Sequence, residues 1–365
     1  MIKLKEILAA INSDIPFALQ EEYDNSGLII GNPDNVVSKG LICVDITEDL
    51  IKEAINEKCN VIISHHPIIF KGLKSITGKN YVENVIIEAI KNDIAIISAH
   101  TNVDNYYYGV NRKLGEAIGL KNLRILAPKN EILKKLVVFC PKDHAEKVRD
   151  AIFNAGAGRI GNYDCCSYNI DGKGSFRAVE GANPFVGEVN KLHFEEEVRI
   201  ETIFPDYIKH EIIKAMLKAH PYEEVAYDIY PLDNTFDRVG AGMIGVFEKP
   251  LNPKNFLDIV KEKLNIPVLK HSRIFAENIS SVAICGGSGS VLLNHAVSQN
   301  ADAFITADIK YNMFFEAENK LLLVDAGHFE TEQFTSEVLY DVVSKKITNF
   351  ALQISKKQYN SVHYY

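Results

Sequence analysis

Three short apolar runs in this chain are each followed at once by histidines and carboxylates. Residues 60–64 (NVIIS) lead into His65-His66-Pro67. Residues 94–98 (IAIIS) lead into Ala99-His100-Thr101-Asn102-Val103-Asp104, and residues 321–324 (LLLV) into Asp325-Ala326-Gly327-His328-Phe329-Glu330-Thr331-Glu332. Runs this short and this uniformly apolar suit strands that are covered on both faces. Helical spacing separates them, at residues 49–57, 81–91 and 111–118. The alternation points to an α/β body with mainly parallel or mixed sheets flanked by helices. In such sheets ligands gather at the carboxyl ends of the strands, where these polar residues fall.

The middle of the chain reads differently. A strand at 135–139 (KLVVF) and a helix at 144–155 precede a Gly-rich, loop-heavy stretch from 156 to 187. A half-exposed strand at 197–203 (EVRIETI), a helix at 207–219 and a strand at 225–230 follow. This β-α-β…β-α-β order suits a ferredoxin-like α+β module. The expected organisation is an N-terminal part of the body at 1–127, an inserted domain at 128–233 and a C-terminal part of the body at 234–365.

Composition narrows the class. A chain of 365 residues buries a full core without disulfide staples. Its net charge of −8, with no dense Lys/Arg run, disfavours a nucleic-acid partner. The six cysteines form no C-x-x-C pair, as expected of a reduced cytosolic protein. The N-terminus, MIKLKEILAAINSDIP, is too polar for a signal peptide. No apolar run approaches the roughly 20 residues of a membrane span. A cytoplasmic protein without membrane contact is expected.

Each polar cluster has a bland reading when taken alone. His65 and His66 suit a packed or surface pair, Asp104 suits a helix N-cap, and H-x-x-x-E pairs such as His328/Glu332 are common on helix surfaces. Their conjunction at three strand ends favours a metal site. Adjacent His65 and His66 diverge, so each can serve a different ion. His328 and Glu332 share one helix face, whereas Glu330 lies off it and is expected to be solvated. Asp104 offers a carboxylate ligand, terminal or bridging. His100 suits a ligand, a supporting partner or a general base. Imidazole with carboxylate fits Zn, Fe, Mn or Co. Five donors exceed the three or four of a single catalytic zinc but suit two ions roughly 3.5–4 Å apart.

Other features are less specific. Gly286-Gly287-Ser288-Gly289-Ser290 stands between a strand and a helix, as a phosphate cradle or a plain tight turn would. Asp308 follows another strand end. Asp24 and Asn25 read as a turn. In the insert, His220-Pro221-Tyr222-Glu223-Glu224 reads as a loop bridging helix and strand.

Taken together, Tyr23-Asp24-Asn25-Ser26-Gly27-Leu28, Ser64-His65-His66-Pro67, His100-Thr101-Asn102-Val103-Asp104, Ile305-Thr306-Ala307-Asp308-Ile309-Lys310-Tyr311 and Gly327-His328-Phe329-Glu330-Thr331-Glu332 form a pattern that resembles the NIF-three-like family, the type 2 homologues of GTP cyclohydrolase I. The resemblance covers about residues 1–125 and 235–365. The insert, with HPYEEVAYDIY, looks like the PII/CutA-type domain of longer members. The chain departs from the pattern at Ala307 and Asn312, where Gly and His are expected.

The resemblance implies two divalent metal ions per subunit, held by His65, His66, Asp104, His328 and Glu332, with His100 moving protons. It implies a toroidal homohexamer, a trimer of dimers. It also implies metal-dependent hydrolysis of the GTP cyclohydrolase kind, in which metal-bound hydroxide opens the guanine imidazole ring. The alternative reading is a non-catalytic metal-handling or regulatory protein whose insert senses a small-molecule ligand.

Overall fold

The computed structural model describes residues 2–365. The chain forms two compact units, Met1–Pro128 with Asp237–Tyr365, and Lys129–Phe236.

The larger unit is mixed α/β and holds two main sheets. One has five strands in the order Ala351–Ile354, Lys39–Cys43, Val61–Ser64, Ala95–Ser98 and Gly27–Ile30. The first four run parallel, and Gly27–Ile30 is antiparallel to its neighbour. Because successive side chains point to opposite faces, this sheet needs apolar residues on both. Leu41, Ile62 and Ile96 meet helices Glu48–Asn56 and Tyr81–Lys91. Ile42, Ile63 and Ile97 meet helices Leu4–Asp14 and Thr335–Lys346. The continuous apolar runs are thus the signature of a strand with no solvent face. Side-chain caps start two of the helices: Thr47 accepts from the Leu50 N–H, and Asn80 from the Glu83 N–H.

The second sheet has six strands, in the order Lys270–His271, Leu322–Asp325, Ala303–Thr306, Ile279–Ile284, Gly240–Leu251 and Lys121–Pro128. Only the run from Leu322–Asp325 to Ile279–Ile284 is parallel. Of the two arrangements expected, the body takes the mixed one. Gly240–Leu251 and Lys121–Pro128 lack a strand signature of their own, since the first carries three glycines and the second is charged and half-exposed. Phe256, Val260 and Leu114 cover one face of this sheet, and Leu292, Leu293 and Ala296 the other.

The smaller unit has the order β-α-β-β-α-β. Its strands lie side by side as Tyr227–Pro231, Leu133–Pro141, Leu192–Pro205 and Ser167–Arg177, all antiparallel. Helices Ala145–Asn154 and Lys209–Ala219 cover one face through Val148, Ile152, Ile212 and Met216, packed on Val138, Val198, Ile200 and Phe204. The stretch expected to be loop-heavy contains the edge strand Ser167–Arg177. Gly172, Gly174 and its mostly exposed side chains removed the apolar signal. Among the described residues no helix is long and apolar enough to cross a membrane.

Candidate metal centre

The strand ends of both sheets in the larger unit converge on one cluster. The ladder continues past Ser64, since the N–H groups of His65 and His66 donate to the carbonyls of Cys43 and Val44 at 3.0 and 2.9 Å. Both histidines are therefore fixed at the backbone. Their rings do not diverge as expected: the centroids are 4.8 Å apart at 39°, and both Nε2 atoms approach Glu332. A short helix, Thr101–Asp104, follows the next strand and carries Asp104 at its end rather than as an N-cap. The helix His328–Glu332 follows Leu322–Asp325 and brings its two named residues to one face, with Nε2 and Oε2 3.0 Å apart.

Glu332 occupies the centre. Its Oε2 stands 3.0 Å from Nε2 of both His66 and His328, and its Oε1 stands 3.6 Å from His65 Nε2. Asp104 Oδ1 lies 3.8 Å from the same His65 nitrogen. Donor atoms fall into overlapping sets, His66/His328/Glu332, His65/Asp104/Glu332 and His65/His66/His100. Glu332, rather than Asp104, is the carboxylate shared by two of them.

The opposite nitrogen of every histidine is tied down. Nδ1 of His66 lies 2.7 Å from Asp45, Nδ1 of His328 2.7 Å from Asp308, and Nδ1 of His100 2.7 Å from Asp24. Nδ1 of His65 lies 2.9 Å from the Ala99 carbonyl. A neutral imidazole that donates from Nδ1 presents a bare lone pair at Nε2. His65, His66 and His328 then aim lone pairs at the carboxylate of Glu332. Such an arrangement is repulsive unless a cation or protons lie between. Consistent with this, His65 Nε2, Asp104 Oδ1 and Glu332 Oε2 are buried with no hydrogen-bond partner among the described residues. The donor set fits divalent metal ions, and the Nδ1 partners fit the support that metal-bound histidines need.

Electrostatics without an ion tell the same story. Burial lowers the His66 imidazolium, but Asp45 and Glu332 outweigh it and raise its pKa to about 10. His328 is carried to about 9, against burial, chiefly by Glu332. Burial lifts Asp104 to about 7 against the pull of His65. Glu332 is held well below the usual carboxylate range, because the neighbouring imidazoles overcome its burial. A bound cation would take the place of the protons that these histidines otherwise hold.

Several supporting residues carry no local sequence signal. Asp24 is no mere turn residue. Its covered carboxylate accepts from the Thr101 N–H at 3.0 Å and the Thr101 hydroxyl at 2.5 Å while holding His100. Burial raises the Asp24 carboxyl, but the hydrogen bonds from His100 and Thr101 prevail and hold it far below the ordinary range. Asp45 and Asn111 were not singled out, although Asn111 joins the Asp104 carbonyl to the Gly286 N–H. Asp308, past another strand end, lines the site through its contact with His328. Glu330 is buried rather than solvated, accepting from Asn360 and Tyr364. The glycine loop is no open phosphate cradle either. The N–H groups of Gly286, Gly287 and Gly289 are taken by Asn111, Thr331 and Thr306. The loop's role is steric: Gly287, at φ +59°, leaves room for Glu332.

Comparison with known proteins places this site in a family. The profile of the Duf34/NIF3 (NGG1p interacting factor 3) family matches residues 2–361. The chain is 41% identical over 315 residues to the "GTP cyclohydrolase 1 type 2 homolog" of Halalkalibacterium halodurans, covering 86% of this chain and 85% of that one. It is 38% identical over 347 residues to the protein of the same name from Bacillus subtilis, covering 94% and 92%. Among solved structures, the Bacillus cereus protein related to NIF3 superposes with a TM-score of 0.88 at 39% identity, covering 100% of this chain and 99% of that one. With its family profile matched almost end to end, the chain belongs to the Duf34/NIF3 family.

Proposed function

We propose that this protein is a dinuclear metal-dependent hydrolase acting on a nucleotide of the GTP class. The observation that carries the reading is the convergence of imidazole lone pairs and buried, unpartnered carboxylate oxygens on one point. His65, His66, Asp104, His328 and Glu332 would hold the ions, with Glu332 shared. Two divalent ions, Zn, Fe or Mn, would supply an acidified water and a polarised substrate bond. The chain's own residues do the rest. Asp45, Asp308 and the Ala99 carbonyl orient the ligand rings. Asp24 holds His100 by its Nδ1, with the ring 5.2 and 5.3 Å from those of His65 and His66, and the other nitrogen would serve as the general base. The names carried by the relatives from Halalkalibacterium halodurans and Bacillus subtilis support the choice of GTP as the first substrate to try.

The proposal extends to a toroidal homohexamer in the cytoplasm, and to an insert of the PII/CutA kind, a reading supported by its β-α-β-β-α-β strand order. Natively purified protein should carry about two metal ions per chain, fewer in His65→Ala and Glu332→Ala. Metal-loaded protein should open the guanine ring of GTP, and His66→Ala should not. Full metal content without turnover of GTP or related nucleotides would favour the second reading, a metal-handling or ligand-sensing protein. The cavity in the insert gives that reading its own support.

A further inference from the structure

The smaller unit carries a cavity of about 470 Å3 with a chemistry of its own, a volume within the range of small-molecule sites. Three aromatic side chains meet there. The Tyr222 ring lies 5.9 Å from that of Phe176 and 6.2 Å from that of Phe185. Phe185 is half-exposed at 51%, an aromatic surface left at the rim.

A carboxylate is set into this wall. Tyr222 donates its hydroxyl to Glu197 Oε1 at 3.1 Å. Glu197 pairs across the strands with Gly172, and its carboxyl group lies over Gly174. A Cβ at position 174 would come within 2.2 Å of Glu197 Oε2. Glycine weakens a strand interior and marks a close approach, and here it admits the carboxylate. Glu223 fixes the opening, since its Oε1 accepts from the Asn183 N–H at 2.9 Å. That bond ties the segment bearing Phe185 to the loop bearing Tyr222.

Charge then selects the occupant. Glu197, Glu223 and Glu224 line the cavity against the single basic residue Arg177, so the lining is net negative. An anion would be repelled. A strongly hydrated metal ion gains nothing from ring faces. An alkylated ammonium ion satisfies both features, because aromatic faces and carboxylates attract it and its apolar surface is easily desolvated. We propose that this cavity binds a small organic ammonium ion, with Glu197 as its charge partner and Phe176, Phe185 and Tyr222 as its walls.

The test is calorimetry and saturation-transfer NMR on the full chain, with tetramethylammonium, choline and the neutral isostere of choline in which carbon replaces nitrogen. Both cations should bind, and the neutral isostere about tenfold more weakly or worse. Glu197→Gln keeps the side-chain shape and should weaken choline by about tenfold. Phe185→Leu, at a half-exposed ring, should weaken it too and carries the test if Glu197→Gln does not fold. Equal binding of the neutral isostere, or unchanged affinity in a folded Glu197→Gln, overturns the proposal. So does a cavity that takes no cation but changes the sedimentation of the chain when Phe185→Asp is made, because a second copy would then be its occupant.

Discussion

A Cβ placed on Gly287 would lie 2.1 Å from Oε1 of Glu332 and 3.2 Å from Nε2 of His328. The central carboxylate of the candidate metal centre therefore owes its position to a missing side chain on a loop 45 residues away in sequence. Gly287→Ala would meet two penalties. The left-handed backbone costs about 1–2 kcal/mol for a residue with a Cβ, and Glu332 must move. The expected outcome is a modest fall in melting temperature with a disproportionate loss of bound metal, read by calorimetry and elemental analysis. Full metal content in the folded variant would contradict the steric role.

Asp45 touches no other proposed ligand within hydrogen-bond distance, yet it sets which nitrogen of His66 faces the cluster. Asp45→Asn should keep the fold and weaken metal binding by about 10- to 100-fold. A competition titration against a chelator would measure it. Asp308→Asn should act the same way through His328, and an affinity equal to wild type in both would remove the orienting role.

Asp24 separates turnover from metal content. Asp24→Asn leaves every proposed ligand in place but loses the anionic partner of His100. If His100 moves a proton, turnover should drop by roughly 10²-fold or more while about two ions per chain remain. Thr101 also loses a charged acceptor, so some stability, about 1–3 kcal/mol, should go with it. Equal loss of metal and turnover would instead make His100 a ligand.

The insert should respond to acid through His220. Its Nδ1 accepts from the Tyr222 N–H at 3.1 Å, and its Nε2 lies 2.9 Å from the Phe139 carbonyl. Both bonds are made by the neutral ring. Burial lowers its pKa below the ordinary 6.5, with the nearby His144 acting the same way. A histidine depressed in the folded state contributes stability that is present above 6.5 and is lost as pH falls from there toward the folded value. Stability of the insert, followed by hydrogen exchange at Tyr222, should therefore decline on acidification below 6.5. His220→Gln should flatten that decline, and an unchanged pH profile in this variant would refute the assignment.

Much of the centre was legible in order. Strand periodicity needs only a few residues, so NVIIS, IAIIS and LLLV announced themselves, and the polar residues after them fell at strand ends by simple adjacency. The i, i+4 relation of His328 to Glu332 is likewise local. Two strands were not legible, because Gly240–Leu251 and Ser167–Arg177 are strands by virtue of their neighbours rather than their own apolar pattern. Glu330 misled for a similar reason: it leaves the ligand face of its helix, but Asn360 and Tyr364 return from the end of the chain to bury it.

From its residues alone, then, this chain determined its alternation of buried strands and helices and the histidines and carboxylates at three strand ends. Those are short-range consequences of side-chain period and chain direction. Only the tertiary structure decided that Glu332 is the shared carboxylate. It also decided that Asp24, Asp45 and Asp308 aim the imidazoles, that the glycine loop makes room instead of cradling phosphate, and that Tyr222 closes a cavity with Glu197. Each of those pairings joins residues 20 to 76 positions apart, or two sheets. A contact across such a separation depends on how the layers pack, which no local pattern encodes.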